Sequence, residues 1–204
     1  MSPILFPLLC SIAAAAPTPP AASAAWAEMS QVQALQAGFV QTQHRSILAR
    51  PLEASGTLSF QRPDSLRWEI EAPAPSVFVL QGTKVGMSYP ALGVTEQFDL
   101  ADKPELVQLV QGMMVWLSGD LDAVLKDYSL DWQPGPPDRA TLTPTNPKLQ
   151  SMIDHLDLEL SATAPRHVAR VTIVEPDGDK VEIVVSPPNT DPQLGADHFQ
   201  VRTR

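Results

Sequence analysis

The alternation of apolar and polar positions is clearest in Leu66 to Glu71 (LRWEIE), where Leu66, Trp68 and Ile70 share one face and Arg67, Glu69 and Glu71 the other. A period of two predicts a half-buried strand. β-prone runs also occupy Phe39 to Gln43, Gly56 to Phe60, Ser76 to Leu80, Lys84 to Tyr89 and Val94 to Leu100, separated by turn signals such as Arg62-Pro63-Asp64-Ser65, Gln81-Gly82-Thr83 and Pro90-Ala91-Leu92-Gly93. This density of strands predicts an antiparallel sheet. After a different middle, strands resume at Tyr128 to Gln133, Ala140 to Thr143, His155 to Ser161, His167 to Glu175 and Lys180 to Ser186, with EPDGDK at 175–180 as the strongest hairpin turn. A last strand is expected at His198 to Val201.

Three segments carry helical signals instead. Met29, Val32 and Leu35 recur at helical spacing in EMSQVQALQAG, which ends at Gly38 and predicts a short amphipathic helix with a glycine stop. Pro104 to Leu117 (PELVQLVQGMMVWL) places Leu106, Leu109, Val110, Met113, Met114 and Leu117 on one broad face, with proline at the start where its missing N–H costs little. Gly119 breaks this helix, and Asp120 is positioned to cap a second one through Lys126.

Composition narrows the class. With 204 residues, 44% hydrophobic and 18% charged, the chain is long and apolar enough for one self-sufficient core. Its net charge of −9 and lack of a basic block exclude a phosphate-neutralising surface, so nucleic acid and anionic lipid are not expected partners. A single cysteine, Cys10, excludes an internal disulfide and a cysteine-rich zinc site. No charged side chain precedes Glu28, and Pro3 to Ala16 is apolar but too short and proline-interrupted to cross ~30 Å of hydrocarbon. Residues 1–27 therefore read as a signal peptide, with small-residue cleavage patterns at Ala22-Ser23-Ala24 and Ala25-Trp26-Ala27, followed by a single domain over 28–204. Leu8-Leu9 before Cys10 lacks the small residue that lipid attachment needs, so the product is expected to be exported and free of a lipid anchor.

Recognisable chemistry is sparse. His44, His155, His167 and His198 form no H-E-x-x-H pair, and there is no G-x-S-x-G, P-loop or G-x-G-x-x-G. His155, Asp157 and Glu159 alternate with Leu156, Leu158 and Leu160 and read as the solvated side of a strand; Glu69/Glu71 and Asp177/Asp179 read as exposed strand and turn positions. No catalytic residue, metal site or cofactor is assigned. What stands out is the placement of large apolar side chains: Trp68, Phe78, Met87, Tyr89 and Phe98 in strands, and Met113, Met114 and Trp116 in one helix. They make either a plain core or an adaptable apolar lid over a curved sheet.

The order of short motifs resembles the LolA-type periplasmic lipoprotein carriers. They are an F-x-Q strand start (Phe39, Gln41), G-x-L-x-F (Gly56, Leu58, Phe60), R-P-x-x-L-R-W (Arg62, Pro63, Leu66, Arg67, Trp68), a proline-led strand into a turn glycine (Pro75, Val79, Gly82), and Tyr89-Pro90 before the central helices. The resemblance implies a mainly β, α+β fold, a curved antiparallel sheet forming an incomplete β-barrel covered by short α-helices. It further implies an apolar cavity for acyl chains, here lined by Phe39, Leu58, Phe60, Leu66, Trp68, Phe78, Met87, Tyr89, Phe98, Leu109, Met113, Met114 and Trp116. By the same resemblance Arg62 bonds to the helical lid and favours the closed, empty state. The implied protein is a periplasmic monomer, not an enzyme. Its partners are an acylated cargo (lipoprotein or lipid), an inner-membrane exporter and an outer-membrane acceptor. Two departures accompany this. Standard carriers continue past the last strand, whereas this chain stops at Arg204, and Gln43 to Leu52 with Arg45 and Arg50 looks like divergent LolA-like proteins. An alternative cargo is therefore a glycolipid or polyene-type conjugate, and a secreted hydrolase with a dispersed triad is the reading from another class.

Overall fold

The computed structural model describes residues 18–201; within the helix at 104–117 the side chains of residues 104, 105, 108, 109, 111 and 115 lie outside the description. The elements run α1 (Pro20–Ser30), β1 (Ala34–His44), β2 (Leu52–Gln61), β3 (Ser65–Ala72), β4 (Ser76–Gln81), β5 (Lys84–Tyr89), β6 (Val94–Asp99), α2 (Pro104–Leu117) and α3 (Leu121–Asp127). They continue with β7 (Tyr128–Gln133), β8 (Arg139–Pro144), α4 (Pro147–Gln150), β9 (His155–Leu160), β10 (Val168–Val174) and β11 (Lys180–Val185). All the strands join one 11-stranded sheet in the order β6-β5-β4-β3-β2-β1-β11-β10-β9-β8-β7. Every pairing is antiparallel, and the two halves are joined by β1 and β11, in register at Phe39 opposite Val185. The sheet stays open, an incomplete barrel.

Topology explains where the helices go. β6 and β7 are successive strands but sit at opposite edges of the sheet, so their connection must cross one face of it. That connection is α2 and α3, and it covers the inner face: Val110, Trp116 and Leu117 of α2 and Val124 of α3 join the buried core. The cap on α3 is the expected one, with the Asp120 carboxylate accepting from the Ala123 N–H at 2.9 Å.

The first helix differs from expectation. The structure places α1 at Pro20–Ser30, upstream of the predicted EMSQVQALQAG helix, and gives Ala34 onward to β1. Leu35, spaced helically from Met29 and Val32, also alternates with Ala37 and Phe39, and these three are buried along β1. The strand wins because β1 bonds to β2 on one side and β11 on the other, which local helix propensity cannot match. Of the expected leader, residues 1–17 lie outside the described residues, and Ala22, Ala25 and Trp26 are buried side chains of α1. A cut after Ala24 leaves Trp26 in the chain; a cut after Ala27 removes it.

The chain end also differs. His198 to Val201 is a turn and irregular backbone, not a strand. It crosses the outer face of the sheet instead of extending an edge, so side chains bond its carbonyls: Arg67 donates to His198 O at 3.2 Å and Gln200 O at 3.5 Å, and Gln97 to Val201 O at 3.4 Å. Val201 fits where Gly86 has no side chain, since a Cβ there would lie 2.6 Å from it. The unbroken apolar run Val77 to Leu80 is the sequence trace of this two-sided burial.

The tail should respond to pH. Burial, reinforced by nearby Arg67, pushes the His198 pKa below its ordinary 6.5, because the folded tail favours neutral imidazole. Its contribution to stability is complete above the ordinary value and is lost as pH falls through the lowered one. Protection of the Phe199 to Val201 amides, measured as exchange relative to the intrinsic rate at each pH, is expected to fall between about pH 7.5 and about pH 5, and His198→Gln to flatten that dependence; equal protection factors at both pH values refute it.

Candidate functional site

The inner face of the sheet and the helix over it form one apolar interior. Phe39 of β1, Leu58 and Phe60 of β2, Leu66 and Trp68 of β3, and Trp116 of α2 are all buried in it. The Trp68 ring stands between the other two, 4.1 Å from the Phe39 centroid and 6.3 Å from that of Trp116, which it meets edge-on at 87°. Trp116 is thus a wedge from the helix into the sheet. Phe78, Met87, Phe98, Met113 and Met114 pack against this core while partly exposed.

Two expected lining residues are not among these buried side chains as described. Tyr89 shares the inner face of β5 with Met87 but stands at the strand end, 36% exposed, beyond the cover of the helices. Leu109 is among the residues whose side chains are outside the description. The other half of the interior was not foreseen: Leu142, Leu156, Leu158, Leu160, Val171, Ile183 and Val185 line it from β8 to β11. The alternation of His155 to Leu160 was legible, but nothing local says that β9 faces the same space as β3.

Among the described residues this interior is closely packed. A void of about 20 Å³ remains among Met29, Leu35, Leu58, Trp116 and Val185, scarcely room for one water. An acyl chain needs α2 to move.

Arg62, on the turn after β2, bonds to the ends of both helices. Its Nε donates to Val32 O at 2.9 Å, and one terminal nitrogen reaches Met29 O at 3.5 Å and also bonds Ser118 O. Its guanidinium carbon lies 5.8 Å from the Phe60 ring centroid. Met29 lies in the last turn of α1 and Ser118 caps α2, so their carbonyls stand at the negative ends of the helix dipoles; Met29 O also accepts the Val32 N–H at 3.2 Å. A planar five-donor cation fits both ends at once. The ends also touch: Gly119 has φ +62° and no room for a side chain, since a Cβ there would lie 2.8 Å from Met29 Cβ.

The titratable groups elsewhere are structural. Arg45 pairs with Glu175 at 2.7 Å, and Asp179, expected to be exposed, is buried where it accepts the Ser46 N–H at 2.7 Å. That N–H, with the Arg45 charge, holds the Asp179 carboxyl below the usual carboxylate range and ties the β1–β2 hairpin to the β10–β11 turn. Glu175, Asp177 and Asp179 bring carboxylate oxygens within 4.8 Å of one another, and Arg45 pairs with two of the three, Glu175 and Asp179. His155 lies between Asp154 at 2.6 Å and Asp157 at 3.4 Å on the solvated side of β9.

Comparison with known proteins agrees with this architecture. The family model described as Outer membrane lipoprotein carrier protein LolA matches residues 30–202. An outer-membrane lipoprotein carrier protein of Chromohalobacter salexigens is 33% identical over 96 residues, 47% of this chain and 43% of that protein. One of Pseudomonas aeruginosa is 28% identical over 107 residues, 52% and 49% of the two chains. The chain spans about half the length of these curated relatives. Among solved structures, the Pseudomonas aeruginosa MucA/MucB complex is similar with a TM-score of 0.51 at 13% identity, covering 89% of this chain and 61% of that one, a likeness of fold alone.

Proposed function

The chain belongs to the LolA family of outer-membrane lipoprotein carriers, and on that premise we propose that it is a periplasmic carrier of acyl chains on lipoproteins. It takes them up beneath α2 and passes them from the inner to the outer membrane without chemical change. The carrying observation is Arg62, whose bonds join the ends of α1 and α2 over an apolar interior.

The energetics suit a shuttle. Exposing a sixteen-carbon chain to water costs roughly 12 kcal/mol at ~0.8 kcal/mol per methylene, so a carrier must offer apolar wall in its place. If binding were all gain, the cargo would never leave. Trp116 and Met113 supply the counterweight, because they reoccupy the interior when the lid returns. Closure then competes with the cargo, and the affinity is the difference between two filled states. Loading energy comes from a membrane exporter and unloading from a membrane acceptor. Among the described residues no helix is long and apolar enough to cross a membrane. We place the processing site after Ala24, which keeps Trp26 in the mature chain, a reading supported by the packing of its ring on Trp132 at 5.7 Å.

Mass spectrometry of the protein recovered from periplasm tests both statements. The expected result is a lipoprotein bound to a chain that retains Trp26. Small acyl lipids in its place redirect the reading to a glycolipid-type cargo, and turnover of an ester substrate overturns it in favour of a hydrolase.

A further inference from the structure

Three buried polar atoms in the interior have no hydrogen-bond partner among the described residues: the indole nitrogens of Trp26 and Trp132 and the hydroxyl of Tyr128. Trp26 is 1% exposed, Tyr128 3% and Trp132 8%. Trp26 comes from α1, whereas Tyr128 and Trp132 share the inner face of β7, an edge strand of the sheet. The two indoles form one pair, edge to face, with centroids 5.7 Å apart at 64°.

Leaving a buried donor without an acceptor costs about 1–3 kcal/mol. An indole N–H can only donate, so what it lacks is an acceptor such as an oxygen lone pair. Phenylalanine at either position would bury an aromatic ring without that cost. Burial also pushes the Tyr128 pKa up, which keeps its proton in place as a donor. The donors belong to α1 and the edge strand β7, whereas the Phe39, Trp68 and Trp116 rings form a separate group on β1, β3 and α2. An acyl chain has the matching asymmetry: an apolar tail with one carbonyl oxygen at its head.

We propose that the Trp26–Trp132 pair, with the Tyr128 hydroxyl along the same strand, is the binding site for the ester or amide carbonyl oxygens of the acylated cargo. This rests on the carrier reading above and adds to it that the cargo is oriented, carbonyl at the β7 edge and tail beneath α2. Lipoproteins and glycerolipids both carry such carbonyls.

The test is displacement of a fluorescent fatty acid from the mature protein by dipalmitoylglycerol and by dihexadecylglycerol, its ether analogue without carbonyls. The wild type should bind the ester about five- to thirtyfold more tightly. Trp26→Phe with Trp132→Phe should abolish that preference and leave ether affinity unchanged. Should this double variant fail to fold, Tyr128→Phe, which removes one oxygen, is expected to reduce the preference on its own. A tripalmitoylated cysteine peptide run in parallel identifies the source: a larger effect of the variants on it than on dipalmitoylglycerol assigns the site to lipoprotein, the reverse to glycerolipid. Equal affinity of ester and ether for the wild type, or a preference that survives in the folded variants, overturns the proposal. Binding of no probe overturns the carrier reading itself.

Discussion

Arg62→Leu is expected to open the lid. Leucine keeps the apolar contact with Phe60 but leaves the carbonyls of Met29, Val32 and Ser118 without the guanidinium that bonds them in the closed form. Two charge-assisted bonds at the lower end of their range are worth about 3 kcal/mol, which shifts the balance of closed and open forms by roughly two orders of magnitude. Binding of an apolar dye should rise accordingly, and cargo should be retained when an acceptor is offered. Arg62→Lys should recover part of the wild-type behaviour, because an ammonium bonds carbonyls but cannot span both helix ends as a planar fork. Unchanged dye binding and unchanged cargo transfer in Arg62→Leu would remove the latch from the mechanism.

Gly56→Ala is expected to be the most damaging single methyl group in the sheet. The β2–β3 register shifts between Ser55 and Gly56, and a Cβ at Gly56 would lie 1.8 Å from the Glu69 carbonyl oxygen. That obstacle is backbone in the neighbouring strand, so no rotamer change relieves it, and β2 and β3 must separate. A loss of about 3 kcal/mol or more is expected, which lowers the melting temperature by about 10 °C in a domain of this size. Gly112→Ala is the contrasting control. Among the described residues its Cβ would meet nothing within 4 Å, so ordinary helix propensity should stabilise the protein by ~1 kcal/mol. Equal melting temperatures for Gly56→Ala and wild type would show that the strands can part at no cost.

Much of the fold was legible because strands advertise their buried face every second residue. Leu66, Trp68 and Ile70 were read as one face from spacing alone, and that face is the inner one. Reading failed where two periods fit the same residues. Leu35 fits a helix with Met29 and Val32, and a strand with Ala37 and Phe39; only pairing with β2 and β11 decides. It failed again at His198 to Val201, an apolar and polar mixture that crosses the sheet where a strand would run along its edge. Tyr89 was misplaced for a third reason, since alternation gives the face of a residue but not how far the cover extends.

The candidate site was legible in part. Arg62 could be singled out through the R-P-x-x-L-R-W resemblance, but its acceptors are backbone carbonyls, which every residue possesses and no sequence pattern marks. The buried donors Trp26 and Trp132 were less visible still. They are separated by more than half of the chain, and one falls in a stretch that reads as leader.

Residue spacing alone located most of the strands, the apolar face of those that alternate regularly, and the ends of α2. These are local properties, set by side-chain direction along a regular backbone. The pairing of β1 with β11, the crossing of the inner face by the β6-to-β7 connection, and the filling of the space beneath it by Trp116 follow only from the folded arrangement. Each depends on residues far apart in the chain meeting once, at a position chosen by the whole set of pairings, and no local period encodes such a meeting.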